Sequence, residues 1–127
     1  MIEKKKIGFT AGNFDLLHPG YIITFEEAKK HCDLFYIFLQ KDPSLHRKSK
    51  YKPIIPLYDR YKALMAIKYV DAVYTYQTEE ELYELIKFWK PDIRILGEDY
   101  IINLLLGMIY LLKLFILVDH MNGLQQD

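Results

Sequence analysis

A continuous apolar run, LFYIFL at Leu34 to Leu39, restricts the fold of this chain more than any other feature. A run without polar positions is typical of a strand in a parallel sheet that is covered on both faces. Segments with apolar residues at helical spacing precede and follow it, at residues 19–31 and 57–69. Helices on either side of a buried strand predict an α/β fold.

The same periodicity divides most of the chain into alternating elements. Strands are predicted at residues 7–10, 34–39, 72–76 and 93–96, and helices at 19–31, 57–69 and 78–89. This order predicts a Rossmann-like, doubly wound parallel sheet in a single domain. Ligands bind such sheets at the carboxyl ends of the strands, so we expect Thr10 to Tyr21 and Gly97 to Tyr100 to face one crevice.

Charge and cysteine content exclude several classes of protein. Seventeen basic and seventeen acidic side chains cancel, so we predict no electrostatic attraction to nucleic acid or to an anionic membrane. Cys32 is the single cysteine, which rules out a disulfide within the chain and suits a reducing compartment. The start of the chain lacks the apolar core of a signal peptide, and we therefore expect a cytoplasmic protein.

The segment from Gly12 to Tyr21, between the first strand and the first helix, has the composition of a phosphate site. Gly12 allows a tight turn and the close approach of a ligand to the backbone. The helix begins near Pro19 and offers free N–H groups and a positive dipole end to an anion. His18 adds a side-chain donor there, and Gly20 leaves room for a nucleotide.

Ordinary structural explanations exist for the same residues. A histidine before a proline, such as His18, is also a helix cap. The long loop predicted at residues 40–56 is basic, and runs of basic residues are usually only solvated. Asp99 is equally typical of a turn. Arg60 opposes the dipole at a helix start, which favours a functional reason for its presence.

The segment resembles the G-x-F-D…H-x-G-H signature of the cytidylyltransferase family, and most closely its glycerol-3-phosphate cytidylyltransferase branch. The similarity covers roughly residues 6–100. Further matches follow in order at Lys50-x-Lys52, Tyr58-Asp59-Arg60, residues 68–73 and residues 94–99. A lone H-x-G-H is a weak signal, but the combination at this spacing is specific.

The resemblance implies a nucleotidyltransferase. An oxygen of a small phosphorylated alcohol would attack the α-phosphate of a nucleoside triphosphate, CTP by resemblance, and pyrophosphate would leave. Mg²⁺ is the implied cofactor, bound through the nucleotide phosphates, and no residue is assigned as a metal ligand. The family's enzymes are commonly homodimers, which would suit a leucine-rich surface.

The resemblance also implies roles for individual residues. His18 would stabilise the α-phosphate in the transition state, Lys52 would reach the triphosphate, and Lys50 would bind the phosphate of the acceptor. The remaining matched residues are assigned to the nucleotide site: Thr10, Asn13, Phe14, Asp15, Gly20, Tyr21, Arg60, Gly97 and Asp99.

Two departures from the family pattern leave the substrates open. Tyr21 stands where the motif usually has its second histidine, and a phenol carries no positive charge at neutral pH. Gln77 stands where the branch tends to place a basic side chain. The alternatives are a transferase that uses ATP and a sugar phosphate, and a catalytically weak nucleotide-binding remnant.

The last residues are more hydrophobic and less charged than the rest. This change in composition divides the chain into a nucleotidyltransferase domain at 1–100 and a hydrophobic tail at 101–127. Beyond Asp99 only Lys113, Asp119 and Asp127 are charged, and the family's S-[ST]-T-x-x-R-like motif is missing. We interpret the tail as the product of a message read one base out of frame beyond about Ile101, because suitable codons would then give a polar string that ends in Ser-Ser-Thr-Arg. The alternatives are a packed or dimer-interface helix and a membrane anchor.

Overall fold

Four strands alternate with three helices in the part of the chain that the computed structural model describes, residues 4–95. The strands are β1 (Ile7–Gly12), β2 (Leu34–Gln40), β3 (Ala72–Tyr76) and β4 (Ile93–Arg94). The helices are α1 (Pro19–Lys29), α2 (Leu57–Met65) and α3 (Glu79–Trp89), and a single 3-10 turn forms at Pro43–Leu45. The alternation predicted from periodicity is confirmed.

All strand pairs are parallel, and the order in the sheet is β3-β2-β1-β4. The chain adds β2 and β3 on one side of β1, and then returns through α3 to place β4 on the other side. The carboxyl edge between β1 and β4 is therefore the topological switch point, where open α/β sheets bind ligands. The predicted doubly wound parallel sheet is confirmed, and its first and fourth strands are neighbours.

Helices cover both faces of the sheet, which explains why the run LFYIFL has no polar position. On one face the Phe9 and Phe38 rings lie 4.9 Å apart, and Trp89 of α3 lies 5.1 Å from Tyr36. On the other face Phe25 of α1 lies 5.5 Å from Phe35. Neighbouring residues of a strand point to opposite faces, so only apolar side chains are accommodated in β2.

Helix α2 ends at Met65, four residues before the predicted end at 69. Asp71 explains the early end because it is fixed to the start of β2. Its backbone N–H donates to the Phe35 carbonyl at 2.8 Å, and its carboxylate accepts from the Phe35 N–H at 2.7 Å and from Lys29 at 2.6 Å. The chain must therefore leave the helix and turn before it enters β3.

Several predictions fall on residues 96–127, outside the described residues. They are the roles of Gly97 and Asp99, the domain boundary at 100 and the origin of the tail. Within residues 4–95, no helix combines the length and the apolar character that crossing a lipid bilayer requires.

Thr10 of β1 gives a test of the packing between the sheet and the helices. Its side chain is fully buried, and its hydroxyl has no hydrogen-bond partner among residues 4–95. Because an unpaired buried hydroxyl is costly, we expect Thr10→Val to raise the free energy of unfolding by about 1 kcal/mol. Denaturant titration followed by circular dichroism measures the change.

Thr24 of α1 is the matched control. It is also buried, but its hydroxyl donates to the Gly20 carbonyl at 3.1 Å. Thr24→Val should therefore lower the free energy of unfolding, by about 1 kcal/mol. Equal destabilisation by both valine substitutions would contradict the packing described for Thr10.

Candidate active site

The turn after β1 is built around Phe14 and not around a glycine. Phe14 has a φ of 44°, a left-handed conformation that is uncommon for a bulky residue, and its ring is buried. A Cβ on Gly12 would lie 3.2 Å from that ring. Gly12 therefore makes room for the Phe14 ring, whose burial holds the backbone in an unfavourable conformation.

His18 caps the amino terminus of α1. Its Nδ1 accepts a hydrogen bond from the Gly20 N–H at 3.1 Å, and the side chain is otherwise exposed. A neutral imidazole that accepts at Nδ1 carries its proton on Nε2. The cap therefore presents an N–H donor to solvent at the positive end of the helix dipole. The prediction of free backbone N–H groups at this helix start is wrong, because Pro19 has none and those of Gly20 and Tyr21 both donate to His18. The capping role and a phosphate-binding role thus use different nitrogens of one ring.

Tyr21 lies beneath that imidazole. The two ring centroids are 4.3 Å apart, and the Tyr21 ring packs edge-on against Phe14 at 5.3 Å. Only 5% of Tyr21 is exposed. Tyr21, which stands in place of the motif's second histidine, is thus part of the aromatic packing between α1 and the turn. Its predicted role in nucleotide binding stays a prediction.

Arg60 is the most buried charged side chain of the site, with 3% of its surface exposed. Burial lowers the pKa of its guanidinium, whereas the carboxylates of Asp15 and Asp42 raise it. Four hydrogen bonds of 2.6–2.9 Å run from the guanidinium to the carbonyls of Asn13, Gln40, Lys41 and Ile55. Arg60, which was assigned to the nucleotide, thus holds the ends of β1 and β2 to the long loop.

Asp15 completes this anchor from the other side. Its Oδ2 accepts from the Ile54 N–H and its Oδ1 from the Ile55 N–H, both at 2.8 Å. The carbonyl of Ile55 in turn accepts from Arg60. One residue of the loop is therefore held through both of its backbone polar groups, by the two side chains predicted to lie beside the nucleotide.

The beginning of the long loop is fixed as well. Asp42 caps the 3-10 turn by accepting from the hydroxyl and the N–H of Ser44, which holds the pKa of the Asp42 carboxyl below its ordinary value. The amide of Gln77 donates to the Asp42 carbonyl at 2.7 Å. Gln77 follows β3 and departs from the family pattern. Its side chain thus supports the start of the long loop, which follows β2.

Lys50 and Lys52 are exposed in the middle of this loop. Among the described residues, neither side chain makes a hydrogen bond or a salt bridge. Lys52 precedes the anchored Ile54 by two residues, so its backbone stays within about 7 Å of the anchor. The ammonium group of Lys52 lies close enough to Asp42 to help lower the pKa of that carboxyl, and its backbone is tethered through Ile54 to Asp15 in the turn before His18.

The other predicted site residues contribute mainly through their backbones. Thr10 is buried in β1, the Asn13 carbonyl is bound by Arg60, and the Gly20 N–H is bound by His18. The anchoring of Ile54 and Ile55 was not predicted from the sequence. The anchor uses the backbone N–H and carbonyl groups of these two residues, and every residue type has such groups, so the sequence does not reveal it.

Comparison with known proteins identifies the family of this chain. The model of a family described as cytidylyltransferase-like matches residues 9–120. The chain belongs to the cytidylyltransferase-like family. This membership confirms the class of nucleotidyltransferases that the motif implies, and it agrees with the parallel sheet described above.

Relatives and a solved structure add detail. The chain is 38% identical over 96 residues to the bifunctional protein HldE of Gluconacetobacter diazotrophicus, covering 75% of this chain and 20% of the relative. The HldE protein of Hyphomonas neptunium is 41% identical over the same length, with the same coverage of both chains. The chain therefore spans about one fifth of the length of the curated relatives that it matches.

One solved structure that resembles this chain is that of the lipopolysaccharide core biosynthesis protein from Thermoplasma volcanium. The TM-score is 0.63 at 26% sequence identity, and the match covers 72% of this chain and 73% of the neighbour. The Rossmann-like fold expected for the family is thus confirmed in this chain.

The anchoring role of Arg60 can be tested by stability. Arg60→Met keeps an unbranched apolar stem but removes the guanidinium and leaves the bound carbonyls without a partner. We expect the free energy of unfolding to fall by about 3 kcal/mol or more, because buried acceptors lose charge-assisted bonds. Thermal and denaturant unfolding, compared with the unaltered chain, measure the loss.

Arg47→Met is the control, because Arg47 is an exposed arginine in the same loop. Its guanidinium is 63% exposed and contacts Glu79 at 3.4 Å. Removing such a surface pair should change stability by no more than about 0.5 kcal/mol. If both substitutions had the same small effect, Arg60 would not be an anchor.

Proposed function

We propose that this chain transfers a nucleotidyl group from a nucleoside triphosphate to a phosphorylated acceptor and releases pyrophosphate. The observation that carries the proposal is the exposed imidazole of His18 at the amino end of α1, beside the switch point of the sheet, whose Nδ1 accepts the capping hydrogen bond from the Gly20 N–H. An oxygen of the acceptor phosphate forms the bond to the α-phosphorus. The bond from that phosphorus to the bridging oxygen breaks, and the electron pair leaves with pyrophosphate.

Positioning and charge neutralisation supply the catalysis in this proposal. His18 donates to the α-phosphate oxygens as their negative charge grows in the transition state. Lys52 binds the triphosphate, and Lys50 binds the phosphate of the acceptor. The dipole of α1 adds to the positive potential at the same place, although the N–H groups of Gly20 and Tyr21 already donate to His18.

Mg²⁺ is proposed as the cofactor, and it would be carried by the phosphates. The carboxylates of Asp15 and Asp42, which follow the ends of β1 and β2, already accept hydrogen bonds from backbone N–H groups. Such a site suits a metal that keeps waters and binds through substrate phosphates. When bound, Mg²⁺ neutralises part of the triphosphate charge.

Two substrate pairs are candidates. CTP and a small phosphorylated alcohol are implied by the motif. The alternative pair is ATP and a sugar phosphate, and its acceptor is favoured by a structural neighbour, because the name of that protein refers to lipopolysaccharide, and polysaccharides are built from sugars. We propose the sugar phosphate as the acceptor class and the cytoplasm, which holds nucleoside triphosphates, as the location.

The proposal is tested by a pyrophosphate-release assay with the four nucleoside triphosphates, each combined with a panel of phosphorylated polyols and sugar phosphates. We expect release with one nucleotide and one acceptor class. The substitution His18→Ser should then lower kcat by about 100-fold or more, because serine keeps the helix cap but cannot reach a phosphate.

His31→Ala is the control for this substitution. His31 is exposed after the carboxyl end of α1, at the other end of that helix. Its removal should leave pyrophosphate release unchanged. Release that survives His18→Ser, or that is absent with every substrate pair in the unaltered chain, would refute the proposed function.

The two loop lysines should separate in their kinetic effects. Lys52→Ala should raise KM for the nucleotide, and Lys50→Ala should raise KM for the acceptor, each by about tenfold or more, since one charge-assisted contact is lost. Lys48→Ala, in an exposed neighbour, is the control and should change neither constant. A rise in the same KM for both lysines would contradict the separate roles.

A further inference from the structure

Tyr21 has a function that neither the motif nor the comparisons assign. We propose that Tyr21 is a positioning residue whose aromatic ring fixes the plane of the His18 imidazole, and that it does not replace the phosphate contact of the missing histidine. The inference rests on the proposed function, because it concerns the group that would bind the α-phosphate.

The packing around the two rings supports this role. Tyr21 follows His18 by three residues, so on a helix its side chain lies directly beneath the cap. The ring centroids are 4.3 Å apart with an interplanar angle of 35°. The Tyr21 ring is itself held by Phe14 at 5.3 Å and Phe25 at 6.3 Å. An aromatic column therefore runs from the core to the exposed imidazole.

The imidazole is held by the cap through only one hydrogen bond. The bond from the Gly20 N–H to Nδ1, together with the covalent link at Cγ, sets the direction of the ring, but one such bond on an exposed side chain is weak and opens readily. A flat partner beneath the ring holds its plane when that bond opens, and so keeps Nε2 in direction. Donors that are oriented before the reaction stabilise a transition state without a further entropic cost.

The burial of Tyr21 argues against direct phosphate binding. Only 5% of the residue is exposed, so it offers almost no surface to a ligand. Its phenol is also neutral at ordinary pH and adds no positive charge. The chain would therefore operate with one imidazole at this motif, supported by a ring where the family has a second imidazole.

Two substitutions separate the ring from the hydroxyl. Tyr21→Phe keeps the ring and should hold kcat within about twofold of the unaltered chain, measured with the best substrate pair. Tyr21→Leu removes the ring and should lower kcat by about 10- to 100-fold with little change in KM, since a displaced donor weakens mainly the transition state. A loss of kcat in Tyr21→Phe, or its retention in Tyr21→Leu, would overturn the inference.

Tyr36→Leu is the control for lost stability. Tyr36 is about as buried, at 7% exposed, but it packs against Trp89 on the opposite face of the sheet. At a temperature where both leucine variants are folded by circular dichroism, Tyr36→Leu should keep its kcat. If it loses as much kcat as Tyr21→Leu, the effect is one of stability and the inference fails.

A measurement independent of turnover keeps the inference testable. In proton NMR, the carbon-bound ring protons of His18 should be shifted upfield by the Tyr21 ring, and Tyr21→Phe should preserve that shift. Unshifted His18 resonances in the unaltered chain would overturn the inference even if Tyr21→Leu did not fold. Failure of the proposed function has a different signature, namely no pyrophosphate release in the unaltered chain.

Discussion

The buried guanidinium of Arg60 is the interaction on which the rest of the site depends. It joins the carbonyl of Asn13 after β1, those of Gln40 and Lys41 after β2, and that of Ile55 in the long loop. Burying a charge is costly, and here hydrogen bonds to carbonyl oxygens offset the cost. Segments far apart in sequence are thereby held at one edge of the sheet.

The hydrogen bonds of Arg60 and Asp15 fix the long loop beside the ends of β1 and β2. Asp15 binds the two N–H groups next to the carbonyl that Arg60 binds, so the chain near Ile55 is held from both directions. Lys52 lies just before this anchor, and His18 lies just after Asp15. The side chains proposed to bind phosphates remain exposed, whereas the side chains that position them are satisfied by backbone groups. This division suits a reaction in which the protein mainly orients its substrates.

The aromatic residues connect this edge to the core. Phe14 takes a left-handed conformation because its ring is buried with Tyr21 and Phe25. Tyr21 then lies against the imidazole of His18. A change in core packing would therefore reach the imidazole of His18, which we propose as a phosphate-binding donor. Tyr21 makes a packing contact at the position where the motif usually has its second histidine.

The sequence by itself determined the alternation of strands and helices, the burial of β2 on both faces and the helix start at Pro19. These features follow from periodicity and from local capping, which act between near neighbours in the chain. Only the tertiary structure decided that β4 lies beside β1, that α2 ends at Met65 and that Arg60 and Asp15 hold the loop. Those outcomes depend on contacts between distant segments through backbone groups, and every residue type carries the same backbone groups.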